Sequence, residues 1–445
     1  MKVTGIIAEY NPFHKGHQYH LERARQETDA DYIIVVMSGN YTQRGLPAVM
    51  DKYLRAQTTL QAGADLVLEL PTPYATGSAE FFASGAVALL DKLGVIDHLC
   101  FGSECGRTDQ LMQAAALLAH ETSAYSQALQ KHLAAGLAYP AAQEAALLPL
   151  LANAPVGTAC PDKGPVPAGL LSSPNNRLGM EYCKALVRRN SPITPVTIQR
   201  VGAGYHDEAL YEEPQTFSSA TAIRKLLLTD ASPKAESGAA PEILPGAAPE
   251  SFASQMPDYA AGLIRQEWQQ SLPLSPDDFS LLLHCRLLRE TARSLTSYQD
   301  VSQDLADKII KHLPDFTSFT EYCRLLKSKD LTYTRISRSL LHILLNIREE
   351  DVRDYVAQDY LGYARILGFR REAAPLLGAI KSNAALPLLS KLADADKVLA
   401  PKALAMLEQD IAAAHLYEAV ATHKFSQNAK QKRLQNEYRR QIIIQ

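Results

Sequence analysis

The chain has 445 residues, enough for about two to four domains of ordinary size. With 47% hydrophobic and 21% charged residues it is too apolar for wholesale disorder, and its net charge of −3 gives no global attraction to nucleic acid or to an anionic membrane. Six cysteines without a Cys-x-x-Cys pair exclude a disulfide scaffold and a recognisable zinc ribbon, so reduced thiols and a cytoplasmic location are expected. No stretch reaches the roughly 18 apolar residues of a membrane span, and the apolar run before Glu9 is too short for a secretory signal.

In chain order, Val3 to Ala8 reads as a buried strand and Tyr19 to Gln26 as a helix. Tyr32 to Met37 is β-branched and apolar on both faces, the pattern of a central parallel strand. A polar loop from Ser38 to Arg44 leads to a helix from Met50 to about Ala62. Leu66 to Leu70 is a third strand, Gly77 to Leu93 an Ala-rich helix, and His98 to Phe101 a fourth strand. Strands spaced by helices of this length predict βαβ units and an α/β fold with a parallel sheet.

The pattern turns helical over about 108–165, read as an insertion with a Pro/Gly-rich loop from Ala152 to Pro167. A helix follows over Asn176 to Arg189, with Asn175 as its expected N-cap. A strand spans Ile193 to Val201, and a short helix Ala222 to Leu228. The α/β domain is thus expected over 1–230. Residues 231–258 hold five prolines among Ala, Ser and Gly and read as a linker or surface insertion. Beyond it, 259–445 reads as an all-helical domain.

The sharpest local signal is Asn11-Pro12-Phe13-His14-Lys15-Gly16-His17, between strand one and the first helix. Free N–H groups and the positive dipole end of a helix suit phosphate there. Gly16 permits close backbone approach. His14 and His17, three apart on a first turn, can both donate to charge developing on an α-phosphate. Two incidental surface histidines are the plain alternative, made less attractive by the position at the carboxyl end of strand one. No Gly is followed by Lys, so there is no Walker A loop, and no Gly-x-Gly-x-x-Gly follows the first strand. Ser218 to Arg224 puts hydroxyls at a helix start and a basic side chain one turn in, read either as a phosphate site or as an ordinary Ser/Thr cap. Gln43 and Arg44 sit on the ligand side of the sheet, with substrate contact and bare loop equally open. Cys100, Cys105 and His98 read as core or loop residues.

Glu9 to His17 resembles the opening of the tRNA(Met) cytidine acetate ligase family. So do Met37 to Gly45, Phe101-Gly102-Ser103-Glu104, Ser173-Pro174-Asn175-Asn176, Gly204-Tyr205-His206-Asp207, Ser219 to Arg224, and Arg335 to Ile347, all in order. The resemblance implies a Rossmann-like sheet of the HIGH nucleotidylyltransferase type, carrying an ATP-dependent ligase of elongator tRNA(Met). Acetate would attack the α-phosphate of ATP to give acetyl-adenylate, and N4 of the wobble cytidine would then take the acetyl group to give N4-acetylcytidine. By motif, the ATP site would comprise Ile7, Ala8, Glu9, Tyr10, Asn11, Pro12, Phe13, Lys15, Gly16 and His20 around His14 and His17, with Gly102, Asn175 and Arg200. The two histidines would stabilise the transition state, and Ser219, Thr221 and Arg224 would hold the pyrophosphate end. With no carboxylate cluster marking a metal site, any Mg2+ is expected to travel on the nucleotide.

Two basic stretches fit an RNA partner. Residues 324–348 carry six Lys/Arg against Asp330, and 424–440 six against Glu437, each a local +5. Such stripes suit phosphate contacts that position RNA, although a solvated helix face has the same composition. Tyr322, Tyr333, Tyr355, Tyr360 and Tyr363 offer base stacking or plain packing. The competing readings are a small-molecule nucleotidylyltransferase, for which His-x-Gly-His also serves, and a tRNA-binding protein with a vestigial nucleotide pocket.

Overall fold

The computed structural model describes residues 1–137, 139–152, 170–171, 173–200, 218–230, 250–426 and 435–445. The first half alternates as expected: β1 (Val3–Ala8), α1 (Lys15–Thr28), β2 (Tyr32–Ser38), a hairpin of β3 (Tyr41–Thr42) and β4 (Leu46–Pro47), α2 (Lys52–Gln61), β5 (Leu66–Leu70), α3 (Thr72–Ala75), α4 (Ala79–Lys92) and β6 (His98–Ser103). Three helices follow, α5 (Thr108–Ala119), α6 (Ser123–Ala134) and α7 (Tyr139–Ala152), then α8 (Pro174–Arg189), β7 (Thr194–Gln199) and α9 (Ala220–Asp230). The loop expected from Ala152 to Pro167 and the motif Gly204 to Asp207 fall almost wholly outside the described residues.

The caps follow local chemistry. Asp51 accepts from the Leu54 N–H to start α2, and Ser78 from the Phe81 N–H to start α4. Asn175, expected as the N-cap of α8, lies inside its first turn, and Ser173 holds the cap position. Pro174 is the reason: its missing N–H is free of penalty at the first helical position, so the helix begins two residues earlier.

Beyond α9 come α10 (Asp258–Glu267), α11 (Ser280–Leu287), α12 (Ala292–Leu295), α13 (Gln303–His312), α14 (Phe319–Leu326), α15 (Tyr333–Leu345) and α16 (Glu349–Ala357). Then β8 (Ala364–Phe369), α17 (Ala374–Asn383), β9 (Leu388–Leu389), α18 (Ala395–Val398), α19 (Pro401–Lys424) and β10 (Ile443–Ile444) complete the order. The strands correct the all-helical expectation for 259–445. The sheet runs β10-β8-β5-β2-β1-β6-β7, with β9 on β8. Its core is parallel, and β8 lies antiparallel to β5 through Leu66↔Phe369 to Glu69↔Arg365. A six-residue stretch such as Ala364–Phe369, apolar except for Arg365, has no period that separates strand from buried helix. A fragment ending before residue 259 would therefore lose a strand paired in the interior of the sheet.

One face of the sheet packs Leu21, Ala24, Ala56 and Leu60 from α1 and α2, and the other packs α4, α5 and α8 together with α17 and α19. A separate helical core joins α11, α13, α14 and α15 through Leu283, Leu305, Ile309, Phe319, Tyr322 and Leu340. Residues 250–258 correct the linker expectation over that stretch: Phe252 and Met256 are fully buried against Ile223, Leu227, Ile264 and Trp268, so they hold α9 in place. Their two large apolar side chains outweigh the Pro/Ala/Ser composition of their neighbours. Tyr322, Tyr355 and Tyr363 are buried too, with Tyr322 Oη donating to the Ile309 carbonyl and Tyr363 Oη to Asp410, which removes them as base-stacking candidates. Among the described residues no helix is long and apolar enough to cross a membrane.

Candidate active site

A cleft of about 240 Å3 opens at the carboxyl ends of β1, β6 and β7, where open α/β sheets receive ligands. It is lined by Ile7, Ala8, Glu9, Tyr10, Asn11, His14, Gly16, His17 and His20 from the first motif, by Gly102, Asn175 and Arg200, and by Ser219, Thr221 and Arg224. Three expected residues do not line it. Pro12 lies in a cis peptide after Asn11, Phe13 is buried in the core beside α1, and Lys15 is exposed at the helix start.

The first turn of α1 sets the chemistry. His14 is the N-cap, its Nδ1 accepting from the Gly16 N–H at 3.1 Å, and the His14 N–H donates to His17 Nδ1 at 3.3 Å. With both Nδ1 atoms accepting, each neutral imidazole must carry its hydrogen on Nε2. The rings stack at 3.6 Å between centroids. Burial, followed by the charges of Arg200 and Arg224, pulls the His14 pKa down to about 3; burial and the His14 and Arg200 charges hold His17 well below its usual range. His20, lowered to about 4 by burial and Arg200, donates to the Phe101 carbonyl. The pair is therefore neutral at physiological pH, two N–H donors beside two guanidinium groups.

The neighbouring motifs interlock. Glu104 Oε1 accepts from Asn175 Nδ2 at 2.7 Å and Oε2 from the Asn176 N–H at 2.7 Å, so the segment after β6 fastens the start of α8. A Cβ added to Gly102 would meet Arg200 Cγ at 3.4 Å, an ordinary contact, so Gly102 lies directly against the Arg200 side chain in the cleft. Arg224 Nη1 donates to the Asn11 carbonyl at 2.7 Å and Nη2 to Thr221 Oγ1 at 3.0 Å, tying α9 to the first motif. Ser219 Oγ accepts from the Ala222 N–H, so it caps the helix as well as facing the cleft.

Gln43 and Arg44, left open between two readings, line the cleft. So do Tyr19, Phe82, Phe101, Leu178, Tyr182, Ile198, Gln199 and Ser218. Phe101, Gln199 and Ser218 adjoin recognised positions, whereas Phe82, Leu178 and Tyr182 are single positions on amphipathic helices that carry no sequence signal. Among the described residues no group of three or more His, Cys, Asp or Glu is placed to hold a metal ion.

The basic stretches are partly spent within the chain. Arg338 pairs with Asp300 at 2.9 Å, Arg348 stacks on the Tyr298 ring at 3.9 Å, Lys424 pairs with Asp278 at 2.8 Å and Arg440 with Asp51 at 2.9 Å. Lys430, Lys432 and Arg433 lie outside the described residues. Lys327 and Lys329 are exposed after α14, and Arg335 is half-buried on α15.

The depressed imidazoles make stability fall with acid. Below pH 6.5 the unfolded chain takes up protons that the folded chain refuses, so stability declines as pH drops toward the folded values. His14 is the more enclosed, while His17 and His20 are half-buried at the cleft. His14→Asn keeps a capping acceptor, and its loss of stability between pH 6 and 4.5 should be shallower by about 1.4 kcal/mol per pH unit. Urea unfolding at stepped pH measures this; parallel acid limbs would contradict the assignment.

A family model described as HIGH Nucleotidyl Transferase matches residues 1–433. The tRNA(Met) cytidine acetate ligase of Clostridium perfringens is 37% identical over 423 residues, spanning 94% of this chain and 95% of that protein. The enzyme of the same name from Halothermothrix orenii is 37% identical over 435 residues, 96% of this chain and 94% of that one. Among solved structures, apo Thermotoga maritima TmcAL superposes with a TM-score of 0.86 at 28% identity, covering 100% of this chain and 99% of that one. The same protein bound with alpha-thio ATP gives 0.81 at 29% identity, covering 94% and 95%.

Proposed function

We propose that the chain, which belongs to the HIGH nucleotidyl transferase family and within it to the tRNA(Met) cytidine acetate ligases, is an ATP-dependent ligase that joins acetate to N4 of the wobble cytidine of elongator tRNA(Met). The observation that carries the reading is the pair of stacked, neutral imidazoles at the start of α1, with Arg200 and Arg224 beside them. ATP lies with its α-phosphate at His14 and His17 and its pyrophosphate end at Ser219, Thr221 and Arg224. Ile7 to Tyr10, Asn11, Gly16, His20, Gly102, Asn175 and Arg200 form the rest of its cradle.

An acetate oxygen attacks the α-phosphorus and pyrophosphate leaves, with the two Nε2–H groups donating to the charge that builds on the α-phosphate oxygens. The amine of the cytidine then displaces AMP from acetyl-adenylate. Magnesium, where the first step uses it, is carried by the triphosphate. The tRNA rests on the helical half, where Lys327, Lys329 and Arg335 offer charge to its phosphates, and the enzyme works in the cytoplasm.

The test is incubation of the purified protein with ATP, labelled acetate and elongator tRNA(Met). Label should become acid-precipitable in the tRNA and vanish when ATP is omitted. No incorporation by folded protein would refute the ligase reading, and an AMP conjugate formed without RNA would replace it with the small-molecule one.

A further inference from the structure

The second half-reaction needs a proton acceptor that the imidazoles of the ATP cradle do not supply. As N4 of cytidine bonds to the acetyl carbon, its nitrogen becomes cationic and acidic. A proton must leave as the tetrahedral centre collapses and the bond from carbon to the AMP oxygen breaks. The imidazoles at the start of α1 cannot take it, because Nδ1 of each accepts a backbone N–H and Nε2 already carries hydrogen. His20 faces the Phe101 carbonyl, with Nε2 3.9 Å from Cys100 Sγ.

We infer that Glu9 is the general base of acetyl transfer, an inference that rests on the ligase reading above. Among the described residues it is the only carboxylate lining the cleft. It directly follows β1 and is pinned twice: Oε1 accepts from the Gln43 N–H at 2.7 Å, and the Glu9 carbonyl accepts from Arg55 Nη1 at 2.7 Å. Among the described residues Oε2 has no hydrogen-bond partner, and it is the oxygen that takes the proton. The N4 nitrogen keeps the electron pair of the broken N–H bond, AMP leaves with the pair of the broken C–O bond, and Glu9 ends protonated.

The partner of Glu9 is itself fixed from the helical half. Gly45 adopts φ +73°, and a Cβ there would lie 2.4 Å from the Arg338 nitrogen of α15. Ser337 Oγ donates to the Gly45 carbonyl at 2.9 Å, and Thr42 Oγ1 to the Leu46 carbonyl at 3.1 Å. The hairpin tip is thereby pressed between α15 and the cleft, so that the helical half which carries the RNA also sets the position of the base. Gln43 is a positioning residue in this arrangement.

Glu9→Gln tests the role, because its amide oxygen can still accept the Gln43 N–H. Two rates are compared with the wild type: acetate-dependent exchange of labelled pyrophosphate into ATP, and single-turnover transfer from acetyl-adenylate to tRNA. Transfer should fall roughly 10²-fold further than exchange. The wild-type transfer rate should also drop on acidification, a dependence that the variant lacks. Glu9→Asp retains a carboxylate and should recover part of the transfer that Gln loses. Equal losses in both rates, unchanged transfer, or Asp no better than Gln would overturn the assignment. Absence of exchange in the wild type would count instead against the ligase reading.

Discussion

Replacing His14 or His17 with Asn should slow adenylate formation roughly 10²–10³-fold, with a much smaller loss of ATP affinity. The asymmetry follows from where the donors act. Both Nε2–H groups flank the first turn of α1, whose positive dipole end already attracts a ground-state phosphate. The imidazoles matter when negative charge grows on the α-phosphate oxygens during attack, so their loss is felt in the transition state. Asn suits the experiment because it can still accept the N–H that each Nδ1 now holds, at 3.1 Å from Gly16 and 3.3 Å from His14. The double variant should lose little more than the worse single one, since stacked donors on one phosphate act as a unit. Pyrophosphate exchange measures the rate, and equilibrium binding of a non-hydrolysable analogue measures the affinity. A rate loss under about tenfold would mean that the helix N-terminus and the arginines carry the step.

What could be read from the sequence was whatever is contiguous. Tyr32–Ser38 declares itself a central strand because both faces are apolar, and the run from Asn11 to His17 declares a phosphate site because helix start, glycine and histidines fall within seven residues. Distant partnerships leave no such mark. The segments around Gly102 and Asn175 each stand out alone, yet the Glu104 bonds that join them appear only in three dimensions. Ala364–Phe369, apolar apart from Arg365, looks like one more short stretch in a helical region until β5 supplies its partner from the other end of the chain. Glu9 reads as one letter of a nucleotide motif, and its role as a base emerges from the company it keeps in the cleft. Charge misleads in the same way: Lys52 and Arg365 count toward a near-neutral total, and nothing local says that they are buried.

Those two cations belong to a buried group whose disruption should carry the largest stability effect in the molecule. Lys52 Nζ lies 2.8 Å from Glu69 and 3.0 Å from Glu437, and Arg365 Nη1 lies 3.0 Å from Glu69 and pairs through Nη2 with Glu437. Two positive and two negative charges balance from α2, β5, β8 and the segment before β10. Burial alone would raise the Glu437 pKa, but the Lys52 and Arg365 charges hold it down at about 2. Arg365→Met leaves two carboxylates facing one ammonium and should destabilise the fold by about 3–5 kcal/mol. Adding Glu437→Gln restores a neutral Lys52–Glu69 pair, so the double variant should lose less than the two single variants together. Urea titration of the four proteins gives the coupling, and a loss near 1 kcal/mol for Arg365→Met would mean that water screens the cluster. The damage should also reach the cleft. A Cβ on Gly39 would lie 2.5 Å from Glu69 Oε1, so the segment leading to Gln43 is packed directly on this carboxylate. If Glu69 moves, Gln43 loses its footing and Glu9 loses the N–H that holds it. Acetyl transfer should then decline in Arg365→Met before ATP binding does, a signature that general unfolding would not produce.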